Sequence, residues 1–205
     1  MSKTPAVVLQ TFRRDQILEA ARTVITEHGY DRCSVDQIAK QAGLSRSTVY
    51  EYFGSKAEIL RGCLASRREE LARDLAGRVA RARGLEGRLT AFFEVCLSRV
   101  DQNRQFFQAI TFPLPLDEMT EGPGGGEFAR VVEDFNDVVS AILDAGVESG
   151  ELPQPVSPDD REALGTLIVG AMGARCQQAD PPPLAASAAR FARFAVRGLG
   201  SGRNA

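Results

Sequence analysis

Hydrophobic residues recur at helical spacing along most of the chain, and no segment alternates apolar and polar residues between hairpin turn signals. The first apolar stripe runs from Thr11 to His28, where Gly29 supplies a residue that tolerates positive φ and ends the helix. Residues 1–12 are interpreted as a loose arm rather than a signal peptide, because they lack a full apolar region and a cleavage-site pattern. The whole pattern predicts an all-α protein.

Two short helices are predicted after this first helix. Ser34 followed by Gln37 fits a capping box and opens a helix through Gln41. Gly43 then marks a tight turn, and Ser45 caps a second short helix that ends near Tyr52. This succession is typical of a helix-turn-helix, in which the second short helix enters the major groove of DNA. Many helix pairs have glycine at their turn, so the spacing alone leaves other helical pairs open.

Five longer helical stretches follow. Ser55 and Glu58 predict a second capping box, which opens a long helix with one apolar stripe and an arginine-rich opposite face. A stripe rich in phenylalanine comes next, and a loop of glycine and proline separates it from a helix over about 127–147. Another helix starts near Ser157, and prolines 181–183 precede the last one.

Charge is distributed unevenly between the two halves of the chain. The net charge is −2, but residues 1–90 carry 16 Lys and Arg against 11 Asp and Glu, whereas residues 91–205 carry 9 against 16. A basic front half is expected when only that end meets a polyanion such as DNA. Uneven surface charge without a partner would give the same totals, so charge alone does not decide between the two interpretations.

The sequence contains few residues for metal binding or catalysis. Its four cysteines are widely separated, His28 is its single histidine, and no nucleophile motif is present. We therefore predict no metal, no cofactor and no enzymatic activity, and we interpret the cysteines as buried apolar residues, with a redox-sensing thiol as the alternative. No apolar run reaches the length of a membrane span, so a cytoplasmic location without membrane attachment is expected.

The N-terminal part of the sequence resembles a known family. Residues 14–60 are similar to the N-terminal domain of TetR/AcrR-family repressors, without a gap. The similarity is carried by Ile17, Leu18, Ala20, Ala21, Gly29, Tyr30, Ser34, Val35, Ile38, Ala39, Ala42, Gly43, Leu44, Ser45, Ser47, Thr48, Val49, Tyr50, Tyr52, Phe53, Ser55 and Lys56. It implies a three-helix DNA-binding domain over 1–58 and a helical domain for ligand binding and dimerisation over 59–205.

The resemblance also implies roles for residues of the first domain toward double-stranded DNA. Arg46 and Ser47 are expected to contact base edges, since a guanidinium can bridge guanine O6 and N7. Phosphate contacts are expected from the side chains of Thr48, Tyr50, Tyr52 and Lys56 and from the backbone N–H at Ser34. The alternatives without a role in DNA binding are a solvated Arg46 and tyrosines that belong to the core.

In the second domain, clustered aromatic residues suggest a largely apolar effector pocket. The candidates for its lining are Phe92, Phe93, Cys96, Phe106, Phe107, Ile110, Phe128, Phe135 and Arg175. Plain core packing is the alternative for each of them. An apolar or aromatic small molecule is the effector class expected from this composition.

The last two helices carry apolar residues together with Gly165, Gly170 and Gly173, which permit close helix approach. By resemblance they would form a four-helix interface in a homodimer. The expected function is a dimeric, ligand-responsive transcriptional regulator, most often a repressor in this family, that binds a palindromic operator. A ligand-independent DNA-binding protein of the same fold is the alternative.

Overall fold

The computed structural model describes residues 5–111, 125–152 and 156–200. Within these ranges the regular structure is entirely helical, as the apolar pattern predicted. The helices are α1 (Pro5–His28), α2 (Val35–Ala42), α3 (Arg46–Tyr52), α4 (Lys56–Arg81), α5 (Gly84–Gln102), α6 (Arg104–Thr111), α7 (Gly125–Glu148), α8 (Pro158–Gln177) and α9 (Leu184–Gly200). None of the helices in the described part of the chain is long and apolar enough to cross a bilayer.

Local sequence signals place several helix ends where they were predicted. The capping box at α2 is complete: the Gln37 N–H donates to Ser34 Oγ over 3.2 Å, and the Ser34 N–H donates to Gln37 Oε1 over 2.8 Å. Gly43 ends α2 with a φ of 65°, a conformation that costs glycine little because it has no Cβ. Ser157 caps α8 in the predicted position.

Two predictions at helix starts were wrong in detail. Helix α1 begins at Pro5, so much of the predicted loose arm is helical; proline fits a first turn because its missing N–H would have no partner there. The second capping box forms only in half. The Glu58 N–H donates to Ser55 Oγ over 3.1 Å, but Glu58 Oε2 accepts from the Gly54 N–H instead of the Ser55 N–H.

The described residues form two compact units. Of the described residues, the first comprises 5–67, 105–111 and 125–128, and its core is built from α1–α3, the start of α4 and Phe106 of α6. Gly62 allows α4 to pass close to α1, because a Cβ there would lie 2.9 Å from a methyl group of Leu18. The predicted boundary between residues 58 and 59 lies near the start of α4 and stays a prediction for the functional domains.

Of the described residues, the second unit comprises 68–104, 129–152 and 156–200. Helix α5 packs against both α8 and α9, and an aromatic cluster joins these helices to α7. Phe92 meets Phe135 edge to face with their ring centroids 5.7 Å apart, and Phe93 stacks on Phe191 at 5.5 Å. Such pairs add specificity to the burial of apolar area, which is the main source of stability.

All four cysteines are free and buried, as the sequence suggested. Burial raises the pKa of each thiol, in the case of Cys63 to about 12. A thiol with a raised pKa is a poor nucleophile at neutral pH, because the reactive species is the thiolate.

Candidate nucleic-acid interface

The α2–turn–α3 segment is held against the first unit by buried apolar residues. Ile38 of α2 and Val49 of α3 are completely buried, and Phe53 closes the end of α3 with 1% of its surface exposed. The Gln16 amide of α1 donates to the Ala42 carbonyl over 2.7 Å, which ties the end of α2 to α1. One side of α3 is therefore fixed in the core, and its other side is open to solvent.

The exposed side of α3 carries groups that can meet a polyanion. Arg46, Ser47 and Tyr50 are exposed, and Tyr50 shows 42% of its surface. Ser45 Oγ accepts from the Thr48 N–H over 3.0 Å and so caps the N-terminus of α3. Surface-exposed arginine and hydroxyl groups at the start of a second short helix are the arrangement by which helix-turn-helix proteins reach base edges.

Arg46 does not extend freely into solvent. Its Nη1 donates to both carboxylate oxygens of Asp36 in α2, over 2.8 and 3.1 Å, and its Nη2 lies 3.4 Å from the Tyr50 hydroxyl. The guanidinium carbon also lies 5.4 Å from the centre of the Tyr50 ring. The hydrogen bond with Tyr50, followed by the charge of Asp36, raises the pKa of the guanidinium.

Asp36 was not among the residues that the sequence predicts for the DNA interface. It could have been found from position, because Asp36 lies in the first turn of α2 and Arg46 in the first turn of α3, on either side of a tight turn. The sequence predicts Arg46 either as a base reader or as a solvated residue. The structure shows it paired across the two helices of the motif.

The remaining predicted DNA-binding residues also make contacts within the first unit. The Ser47 and Thr48 hydroxyls both lie within hydrogen-bond distance of Ser45 Oγ, at 2.7 and 2.9 Å. Ser34 forms the N-cap of α2, and its backbone N–H, which was predicted to contact phosphate, instead donates to Gln37 Oε1 over 2.8 Å. Tyr52 is half-buried and packs against the core of the first unit, which agrees with the alternative reading for that ring.

Lys56 takes part in a local tie. Its Nζ donates to the carbonyl oxygens of Tyr30 and Asp31 over 3.0 and 3.3 Å and lies 4.4 Å from the centre of the Tyr30 ring. An ammonium has three N–H donors, so one remains for a phosphate. The structure therefore gives Lys56 an internal role that the sequence did not indicate.

The second unit contains an apolar groove between α4 and α7, with a volume of about 440 Å³. We call it the α4–α7 groove. Its apolar lining includes Leu71, Leu75, Val79, Val131, Phe135, Val138 and Ile142. Its lining also includes charged residues: Arg68 of α4 forms an ion pair with Asp134 of α7 over 3.0 Å, and Arg88 and Asp137 contribute as well. Its size falls within the range of small-molecule sites.

The residues that the sequence suggested for an effector pocket are not assembled around this groove. Only Phe135 lines it. Phe92, Phe93 and Cys96 are completely buried in the core of the second unit. Phe106 belongs to the core of the first unit, with Phe107 and Ile110 packed against it, and the side chain of Phe128 lies outside the described residues.

Arg175 has a structural partner instead of an open position. Its Nε and Nη2 donate to the two oxygens of Asp101 over 2.8 and 2.7 Å, and its Nη1 donates to the Pro182 carbonyl over 2.9 Å. Arg104 donates to the same carboxylate. Burial raises the pKa of Asp101, but the hydrogen bonds and charges of the two arginines outweigh it, so the pKa is lowered overall.

Within the described residues, no group of three or more His, Cys, Asp or Glu side chains is placed to hold a metal ion. What the first unit does offer is a capped, glycine-turned pair of short helices with a polar outer face. That combination defines a helix-turn-helix DNA-binding protein.

Comparison with known proteins gives the family. Residues 17–63 match the family described as "Bacterial regulatory proteins, tetR family". The HTH-type transcriptional regulator SrpR of Pseudomonas putida is 31% identical over 171 residues, which cover 82% of this chain and 76% of that protein. The chain belongs to the TetR family of transcriptional regulators, as the resemblance implied, and the proteins of this family are regulators rather than enzymes.

Solved structures agree on the fold over nearly the whole chain. The fatty acid degradation regulator FadR from Bacillus halodurans superposes with a TM-score of 0.71 at 22% identity, covering 99% of both chains. FadR from Bacillus subtilis, solved in complex with stearoyl-CoA, gives 0.69 at 21% identity over 91% of this chain and 97% of that one. The architecture of an N-terminal helix-turn-helix followed by a helical domain is thereby confirmed.

Proposed function

We propose that this protein is a homodimeric repressor that binds a palindromic operator through α3 and releases it when a largely apolar effector binds. The observation that carries the proposal is the two-sided character of α3. Val49 and the following Phe53 anchor it in the core, whereas Arg46, Ser47 and Tyr50 are exposed. A protein that acts on chromosomal DNA works in the compartment that holds it, so we place this one in the cytoplasm.

In this proposal Arg46 and Ser47 read base edges, because they lie at the N-terminal end of the recognition helix. Thr48, Tyr50 and Tyr52 donate their hydroxyl protons to phosphates, and Lys56 donates its remaining N–H. Such contacts fix the orientation on the duplex without reading its sequence.

The features of the last two helices support a homodimer. A Cβ added at Gly170 or Gly173 of α8 would meet nothing within 4 Å inside the chain, so packing within the protomer does not require either glycine. Phe194 of α9 is 67% exposed. An exposed phenylalanine on α9, and glycines on α8 that packing inside the protomer does not require, both suit close packing with a second copy. By contrast, Gly165 is needed within the chain, where a Cβ would lie 2.4 Å from Asn136 Oδ1.

A test of the dimer uses a matched pair of substitutions. Phe194→Glu and Phe12→Glu place the same charge at two well-exposed phenylalanines, on α9 and on α1. We expect Phe194→Glu to sediment as a monomer and to lose operator binding, and Phe12→Glu to remain dimeric. A dimeric Phe194→Glu protein would remove α9 from the interface.

The α4–α7 groove is the effector site that we propose. Its lining is mostly apolar and includes a few charged side chains, so it suits a molecule with an apolar body and a polar end. The FadR structure from Bacillus subtilis holds stearoyl-CoA, which has this chemistry. Occupation of the groove would favour a protomer arrangement that fits DNA poorly.

Selection from random-sequence DNA is the first experiment. A dimeric repressor should enrich a palindrome whose half-sites are about 10 bp apart, with binding that weakens steeply as salt rises. That operator then serves to screen acyl compounds of increasing chain length for release. Filling the groove with Ala72→Phe should abolish release without weakening DNA binding. Release that is unchanged by Ala72→Phe would move the effector elsewhere, and no release by any compound favours the ligand-independent alternative.

A further inference from the structure

We propose that Asp36 is a positioning residue for base recognition: it holds the Arg46 guanidinium in one orientation at the start of α3 and thereby sharpens the base preference of the protein. This inference rests on the proposed role of Arg46 as a base reader. It adds a residue from α2, which does not itself need to touch a base.

The geometry fixes the guanidinium from two directions. Asp36 engages Nη1 through both carboxylate oxygens, and Tyr50, one helical turn after Arg46, lies beside Nη2 and under the guanidinium carbon. An unrestrained arginine samples many rotamers and loses that freedom when it binds a base. A guanidinium that is already held loses less, and its planar fork presents its remaining N–H groups in a defined direction.

Stability of the fold does not account for this pair. The Arg46 and Asp36 side chains are 58% and 63% exposed. Ion pairs with this exposure contribute little to folding, because solvent screens them and two long side chains must be ordered. The buried residues Ile38 and Val49 already hold α2 and α3 together. The effect of the pair is therefore expected on recognition.

Asp36 also lowers the affinity for DNA of any sequence, because a carboxylate beside the DNA-facing end of α3 repels phosphate. The held Arg46 recovers this loss only where a guanine offers its two acceptors. Removing the charge should therefore strengthen binding to random DNA slightly while weakening the preference for the operator.

The experiment compares four proteins on the selected operator and on the same operator changed at each position in turn. They are the wild type, Asp36→Asn, Arg46→Ala and the double variant. Asp15→Asn, which removes an exposed carboxylate from α1 of the same unit, controls for the loss of one negative charge. Thermal unfolding of each variant confirms that the fold is retained.

We expect Arg46→Ala to lose the preference at one base position of each half-site, about 5- to 150-fold. Asp36→Asn should lose roughly tenfold or less of it at the same position, with unchanged or slightly tighter binding to random DNA. In the Arg46→Ala background, Asp36→Asn should have no further effect on base preference. Asp15→Asn should keep the full preference. A merely structural role for Asp36 would weaken binding at all positions alike.

Three results would overturn the proposal, and they can be told apart. If Arg46→Ala loses the preference but Asp36→Asn keeps it, the positioning role is wrong while the recognition role of Arg46 stands. If Asp36→Asn binds the operator more tightly with its preference intact, Asp36 sequesters Arg46 instead of aiming it. If Arg46→Ala keeps the preference, the proposed reading residue and the inference built on it both fall.

Discussion

Each unit of the protein contains an arginine–aspartate pair with nearly the same hydrogen-bond distances and very different surroundings. In the first unit, Arg46 and Asp36 are 58% and 63% exposed, and the guanidinium leans on an exposed tyrosine. In the second unit, Arg175 is only 7% exposed and also holds the Pro182 carbonyl, so α5, α8 and the turn before α9 meet at one point.

The two pairs differ in how far solvent reaches them. Water screens the exposed pair and competes for its hydrogen bonds, so its formation changes the orientation of a side chain more than the stability of a fold. In the second pair the Arg175 guanidinium has lost most of its hydration, so removing Asp101 leaves a buried charge without its partner, and removing Arg175 leaves the carboxylate with Arg104 alone. The same two residue types thus serve recognition in one place and architecture in the other.

The largest effect is expected from breaking the buried pair. Arg175→Ala should lower the free energy of unfolding by roughly 3 kcal/mol, because Asp101 keeps only Arg104 and the Pro182 carbonyl loses its donor. Arg46→Ala should change it by about 1 kcal/mol or less. Urea unfolding at a fixed protein concentration measures both. Equal losses in the two variants would contradict the comparison.

A smaller effect is expected from pH. The two arginines hold the pKa of Asp101 below its ordinary value of 3.8. A group whose pKa is lower in the folded state stabilises the fold fully above the ordinary value, and this contribution is lost as pH falls below it. The wild type should therefore lose stability below about pH 4, and Asp101→Asn should lack that part of the loss. Parallel acid limbs for the two proteins would show that this carboxylate does not contribute.

The smallest effect is expected from salt. Double-mutant cycles on stability should give a coupling of about 0.2–1 kcal/mol for Arg46 and Asp36 at low salt, falling toward zero near 1 M NaCl. The coupling between Arg175 and Asp101 should persist, because little solvent reaches the guanidinium. If salt weakened both couplings equally, burial would not be what separates the two pairs.

The sequence predicted the first unit well because its signals are local. Ser34, Gly43 and Ser45 act through hydrogen bonds or backbone angles within a few residues of themselves, so their spacing determines the structure. Even in this unit, the sequence did not predict the side-chain contacts between helices. The tie from Lys56 to Tyr30 and the pair of Asp36 with Arg46 depend on how helices lie against each other.

The second unit was predicted in outline only. An apolar residue on a helix looks the same in sequence whether it packs in a core or lines a cavity, and Phe92, Phe93 and Cys96 are core residues. Which helices face each other decides the difference, and that is a tertiary property. The apolar lining of the α4–α7 groove instead consists of leucine, valine, isoleucine and alanine side chains together with Phe135. Such residues occur in any helical core, so their presence in the sequence does not indicate a pocket.

The tyrosines have one more consequence, for spectroscopy. The chain has no tryptophan, and its three tyrosines are Tyr30, Tyr50 and Tyr52. All three lie in the first unit, beside the cations or the helix that we propose for DNA binding. Intrinsic tyrosine fluorescence of the unlabelled protein therefore reports on the helix-turn-helix region alone. An effector that binds in the other unit will change this fluorescence only if its binding alters the surroundings of the recognition helix.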